Sequence, residues 1–127
     1  MVRPAAKELT DRELEIMHVF WKEGARTAAE VRDELASRGL DRAYTTIATL
    51  VRILCEKRFL RAVNDERPFR YAPVRTHAEV SSRIVGDMVE RVFGGSREQL
   101  LVRLFERRKL SAREKSLLQQ ILREEGQ

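Results

Sequence analysis

A mainly α-helical chain interrupted once by a β-hairpin is the fold class that this sequence predicts. Three observations predict it. Five hydroxyl residues stand three positions ahead of a Glu or Gln: Thr10/Glu13, Thr27/Glu30, Thr76/Glu79, Ser96/Gln99 and Ser111/Glu114. Each pair can form a capping box, in which two orphan backbone donors are satisfied reciprocally at a helix start. Each also precedes a segment whose apolar residues recur at three- and four-residue spacing. That periodicity lapses between Phe59 and Tyr71, where two short strand-like runs flank a polar turn. In this order the elements read as a winged helix-turn-helix: three helices plus a two-stranded wing, with a C-terminal three-helix region behind it.

The first helix is expected over about Asp11 to Glu23, with Leu9 and Leu14 as a hydrophobic staple and Gly24 as the stop. Leu14, Met17, Phe20 and Trp21 form its inward face. The second runs from about Ala28 to Ser37, burying Ala28, Val31 and Leu35 before Gly39. The third opens within Asp41 to Arg52 and continues to about Lys57, with Ile47, Leu50, Val51 and Leu54 as its apolar stripe.

Phe59 to Val63 is then a strand, Asn64-Asp65-Glu66 a turn and Phe69-Arg70-Tyr71 a return strand. Pro68 and Pro73 flank the return strand, which suits an edge position. The hairpin is expected to pack Phe59, Phe69 and Tyr71 on the helices, because two strands alone are marginal. Three further helices follow, over about His77 to Val92, Arg97 to Arg108 and Ala112 to Glu124. The best division lies at Pro73 to Thr76, giving a winged-helix domain over 1–75 and a helical dimerisation domain over 76–127.

With 127 residues and 43% hydrophobic content, the chain suits one compact domain plus an appendage. Its net charge of +5 favours an acidic partner such as nucleic acid. Cys55 is the single cysteine, so no internal disulfide is possible, and it lies on the apolar side of the third helix. The opening Met-Val-Arg-Pro-Ala-Ala-Lys-Glu has no signal-peptide core, and no run is long enough to span a bilayer. Membrane insertion is not expected, and the expected location is the cytoplasm.

The polar face of the third helix carries the functional signal. Thr45, Ala48, Thr49 and Arg52 recur opposite the apolar stripe, with Thr46 at the flank. A solvated helix face ordinarily favours Glu, Lys and Gln, because β-branched Thr lowers helix propensity. Threonine hydroxyls and methyls suit base edges, and arginine suits guanine or phosphate. Tyr44 and Arg42 adjoin this face, so the expected DNA-contacting set is Arg42, Tyr44, Thr45, Thr46, Thr49 and Arg52, with Arg67 and Arg70 from the wing. Arginines on a wing can reach phosphates or a narrow minor groove, although charge on an edge strand also prevents edge-to-edge pairing.

The C-terminal helices carry apolar stripes that three short helices cannot bury among themselves. A second copy is the economical partner, with Ile84, Met88, Leu101, Leu104, Phe105, Leu118 and Ile121 as the dimerisation set. Chemistry is poorly supported. His18 and His77 are distant in sequence and neither has metal-ligand spacing, and no phosphate loop or nucleophile motif occurs. No metal, no cofactor and no enzymatic activity are expected.

Ala43-Tyr44-Thr45-Thr46-Ile47 with Leu50 and Arg52, and then Arg67-Pro68-Phe69-Arg70-Tyr71-Ala72-Pro73, resemble the BlaI/MecI/CopY penicillinase-repressor family. Leu9 to Met17 and Trp21 resemble that family's first helix, and the likeness covers nearly the whole chain. It implies a homodimeric bacterial repressor that binds pseudo-palindromic operator DNA and is commonly released through a membrane sensor protease system. By position, Thr45, Thr46 and Thr49 match the base-reading part of the recognition helix, and Arg67 matches the wing arginine. Proteolytic members are cut before a phenylalanine, usually after asparagine; here the matching pair, a candidate proteolytic switch, is Leu104-Phe105. The tail lacks the paired cysteines of copper-responsive members, and Arg58 replaces a glycine frequent before the wing. Beside a sequence-specific repressor, two other readings stand: a winged-helix protein-interaction module and an architectural DNA-binding protein without sequence preference.

Overall fold

The computed structural model describes residues 9–126. The stretch before Leu9, on which the expectation of no signal peptide rests, lies outside the described residues. Six helices and three short strands follow in the order α1 (Asp11–Glu23), β1 (Arg26–Thr27), α2 (Ala28–Ser37), α3 (Tyr44–Glu56), β2 (Leu60–Ala62), β3 (Arg70–Pro73), α4 (His77–Val92), α5 (Arg97–Phe105) and α6 (Ala112–Glu125). Among the described residues, no helix is long and apolar enough to cross a membrane.

Hydroxyl caps set most of the helix starts. Thr10, Thr27 and Ser111 complete capping boxes with Glu13, Glu30 and Glu114, and Thr76 and Glu79 exchange the same pair of bonds. Ser96 accepts from the Gln99 N–H at 3.2 Å without the return bond, because its own N–H already donates to the Phe93 carbonyl. Helix α3 differs: it starts at Tyr44, later than the Asp41 segment, and its cap residue Ala43 offers no side-chain hydrogen bond. Helix α5 ends at Phe105 rather than Arg108. Glu106-Arg107-Arg108-Lys109 has no apolar residue to bury, and the chain must extend at Ser111 to cap α6.

The chain divides into two compact units, 1–81 and 82–127, so the division falls inside α4. The first unit has a closed core of Ile16, Met17, Val19, Phe20, Ala28, Val31, Leu35, Ile47, Val51, Leu54, Phe59, Leu60 and Val80. Because α1 packs against both α2 and α3, its buried stripe is wider than expected: Ile16 and Val19 are buried, whereas Leu14 and Trp21 are half-buried. Val80 belongs to this core, which is why the first turn of α4 joins the first unit. The Trp21 indole N–H donates to the Arg75 carbonyl at 2.9 Å, and its ring lies 5.6 Å from His18 and 5.0 Å from His77. The two histidines, distant in sequence, are therefore neighbours, yet among the described residues no group of three metal-ligating side chains forms.

The sheet corrects two expectations. It has three antiparallel strands in the order β1-β3-β2, so the wing hairpin gains a third strand and β3 lies in the middle, not at an edge. The prolines tolerate this because β1 opposes only Tyr71 and Arg70, leaving Pro68 and Pro73 out of that pairing. Phe69 also stays outside the core, and Leu60 takes the buried place beside Phe59.

Helix α3 stops in a Schellman turn. The Phe59 N–H donates to the Leu54 carbonyl and the Arg58 N–H to the Cys55 carbonyl, while Leu54 and Phe59 are both buried. Arg58 occupies the left-handed position at φ 68°, the one non-glycine among the described residues with positive φ. A Cβ is unfavourable there by roughly 1–2 kcal/mol, partly offset by the larger entropy that glycine loses on folding. Arg58→Gly is therefore expected to stabilise the protein by about 0.5–1 kcal/mol, seen as a higher urea midpoint at unchanged slope. A lower midpoint would mean that the arginine side chain contributes more than its backbone conformation costs.

Candidate nucleic-acid interface

Burial of Ile47, Val51 and Leu54 turns the opposite side of α3 to solvent. Thr45, Thr46, Thr49 and Arg52 are all exposed there, as is Tyr44 at 47%, and Ala48 is half-buried among them. With no capping side chain at Ala43, the first amide groups of α3 keep no side-chain acceptor. A helix start in that state has an electropositive end suited to an anion. Arg32 of α2, which the sequence did not single out, lies 5.7 Å over the Tyr44 ring.

The arginines divide into paired and unpaired. Arg42 makes a two-pronged contact with Glu15 of α1 at 3.0 and 3.2 Å, and this hydrogen-bonded guanidinium holds the Glu15 carboxyl below its ordinary range. Arg52 meets Glu56 one turn on at 2.7 Å, both side chains exposed. Arg70 reaches Glu30 at 3.1 Å and the Ala25 carbonyl at 3.0 Å. Glu30 is held low in pKa chiefly by the Thr27 N–H of its capping box and further by the Arg70 charge. Arg67 alone of the four has no carboxylate among the described residues; its guanidinium lies 5.7 Å from the Phe69 ring. The sequence pattern showed the arginines, but not that Arg42 and Arg70 meet Glu15 and Glu30, which come from helices distant in sequence.

In the second unit, the expected dimerisation residues are open. Ile84, Met88, Leu101, Leu104, Phe105 and Ile121 are exposed and Leu118 is half-buried. Neither α5 nor α6 buries a single residue. Val102, at 56% exposure, extends this apolar surface and was not anticipated. The Leu104–Phe105 bond lies in the last turn of α5.

Comparison with known proteins decides the family. The penicillinase repressor pattern matches residues 9–124. The chain belongs to the penicillinase repressor family. It is a DNA-binding transcriptional repressor, of a family that is not enzymatic. It is 34% identical over 101 residues to the transcriptional regulator BlaI of Mycobacterium tuberculosis, covering 78% of this chain and 72% of the relative. To the penicillinase repressor of Bacillus licheniformis it is 29% identical over 117 residues, covering 92% of this chain and 91% of the relative. The solution structure of the DNA-binding domain of the repressor BlaI aligns with a TM-score of 0.50 at 28% identity. It covers 61% of this chain and 93% of that domain. The wing and helix order described above are thus those of a known winged-helix repressor domain.

The pairing pattern separates two arginines of this family member. Arg42→Ala is expected to lower the thermal midpoint while leaving the salt slope of duplex binding unchanged. Arg67→Ala is expected to leave the midpoint unchanged and to flatten log Kd against log salt by about one unit for each copy bound. Titrations in a salt series with parallel thermal melts check both, and the reverse pattern would place the phosphate contact on Arg42.

Proposed function

We propose that the chain represses transcription as a homodimer on a pseudo-palindromic operator in the cytoplasm, with residues 1–75 reading DNA and 76–127 joining the two copies. The observation that carries this reading is the exposed Thr45, Thr46 and Thr49 face of α3, opposite a fully buried stripe. Each recognition helix enters a major groove, and twofold symmetry puts the two helices roughly 34 Å apart or a multiple of that. The threonines and Tyr44 read base edges. Arg67 holds phosphate directly, while Arg52 and Arg70 contact it by exchanging their carboxylate partners for the backbone. Arg42 acts mainly by holding the entry of α3 against Glu15. An architectural protein or a protein-interaction module would not need a threonine reading face.

The second copy is supported by the unburied apolar residues of α4, α5 and α6. A surface of this extent on a soluble chain marks an interface, and a symmetric self-contact is the commonest way to cover it. Release through a membrane sensor protease system, which the family resemblance implies, would act at Leu104–Phe105. That bond sits in a helical turn, so the turn must open before a protease can hold it as an extended segment.

Selection of bound fragments from the source genome supplies the operator for the test. Thr46→Ala is expected to reduce discrimination between operator and scrambled duplex by about fivefold, read from competition binding. Unchanged discrimination would remove α3 as the reader. Phe105→Asp is expected to convert the dimer to a monomer in sedimentation velocity; a dimer that survived would move the interface away from α5.

A further inference from the structure

We infer that Asn64 and Phe69 are positioning residues that hold Arg67 in the attitude in which it meets the phosphate backbone. This rests on the proposed contact between the wing and DNA. The wing tip closes around one side chain: Asn64 Oδ1 accepts from the Arg70 N–H at 2.8 Å, and Asn64 Nδ2 donates to the Pro68 carbonyl at 3.2 Å. Outside that closure the Val63 N–H donates to the Arg70 carbonyl at 2.8 Å, the first ordinary rung of the hairpin. Residues 65–69 therefore form a loop whose two ends are bridged by a single amide. The amide supplies donor and acceptor on two separate atoms; a carboxylate lacks the donor, and a serine hydroxyl offers both from a single, shorter-reaching oxygen.

Arg67 stands inside this loop, and Phe69 lies under it. The ring is half-buried and belongs to no core cluster, so filling the interior is not its role. Its contact with the guanidinium, 5.7 Å from the ring centroid, limits the directions that the arginine can take. Among the described residues no carboxylate pairs with Arg67, so its charge is uncompensated and available to an anion. A long cationic side chain loses much rotamer freedom on binding, and prior ordering reduces that loss. Asn64 fixes the backbone of the tip and Phe69 fixes the side chain that projects from it.

A double-mutant cycle tests this on a labelled mixed-sequence duplex of about 40 base pairs, long enough for two half-sites. Asn64→Ala and Phe69→Leu are each measured with Arg67 present and in the Arg67→Ala background, across a salt series. The expected result is a loss of about threefold to tenfold for each variant with Arg67 present, accompanied by a shallower salt slope. Neither variant should have a further effect in the Arg67→Ala background. Equal losses in both backgrounds would overturn the inference, because a general weakening of the wing does not depend on Arg67. If Arg67→Ala itself changes neither affinity nor slope, the reading of the wing as a phosphate contact fails, and with it the inference. The two variants disturb the tip by different means, so a misfolded Asn64→Ala, detected by circular dichroism, leaves Phe69→Leu to decide.

Discussion

The first unit depends on α3 having one committed face and two anchored ends. Ile47, Val51 and Leu54 are buried against α1 and α2 and contribute roughly 1.5–3 kcal/mol each. Rotating the helix to present another face would expose all three. At its start, Arg42 is held by Glu15; at its end, Lys57 meets Glu13 at 2.8 Å. Both carboxylates come from the first half of α1, so one helix controls the position of the other. Glu13 is only 2% exposed, a place where an isolated carboxylate would be strongly disfavoured. Burial pushes its pKa up, but the Lys57 hydrogen bond, the Thr10 N–H and the Lys57 charge together prevail and hold it low. The same carboxylate therefore caps α1 and anchors α3, and neither task leaves it unpaired.

This anchoring shapes the electrostatics of the reading surface. A net charge of +5 on a small chain promotes indiscriminate adhesion to nucleic acid. Here three of the four expected DNA-contacting arginines are compensated in the free protein: Arg42 by Glu15, Arg52 by Glu56 and Arg70 by Glu30. On the proposed reading, phosphate would have to displace or share each partner, which would reduce the gain from any duplex regardless of sequence. The exposed Arg52–Glu56 pair is worth little by itself and yields readily. Compensated cations beside uncharged threonines leave proportionally more of the binding to base-edge contacts, the arrangement that suits a repressor that must reject most of a genome.

Much of this was legible in the sequence because local rules and tertiary structure agree. The bounds of α1, α2 and α4 follow from Thr10, Thr27 and Thr76 at their starts and from glycines or apolar exhaustion at their ends. Two of the illegible parts share one cause: a partner far away in the chain. Strand β1 is two residues long, and Thr27 serves both as strand and as the cap of α2, so nothing local announces that it pairs with Arg70. That pairing moves β3 from the edge to the middle of the sheet. Likewise, nothing local announces that Arg42 meets Glu15, 27 positions earlier. Phe69 looks like core by alternation, but it lies outside the core cluster, with its ring 5.7 Å from the Arg67 guanidinium.

The two units are built on opposite principles, and the difference bears on how repression could be switched. The first closes its own core, and its reading face needs nothing from a second copy to be correctly shaped. The second leaves α5 and α6 without a buried residue, so on the proposed reading its order and its assembly are a single equilibrium that depends on protomer concentration. Two half-sites read together bind far more tightly than one, through the high effective concentration of the second head. On that reading, a signal that opened the tail would abolish operator occupancy without touching Thr45, Thr46 or Thr49. Control placed in the second unit would leave the reading head free to be rigid, which is what base-edge recognition requires, because the structural sensitivity that a switch needs would lie elsewhere in the chain.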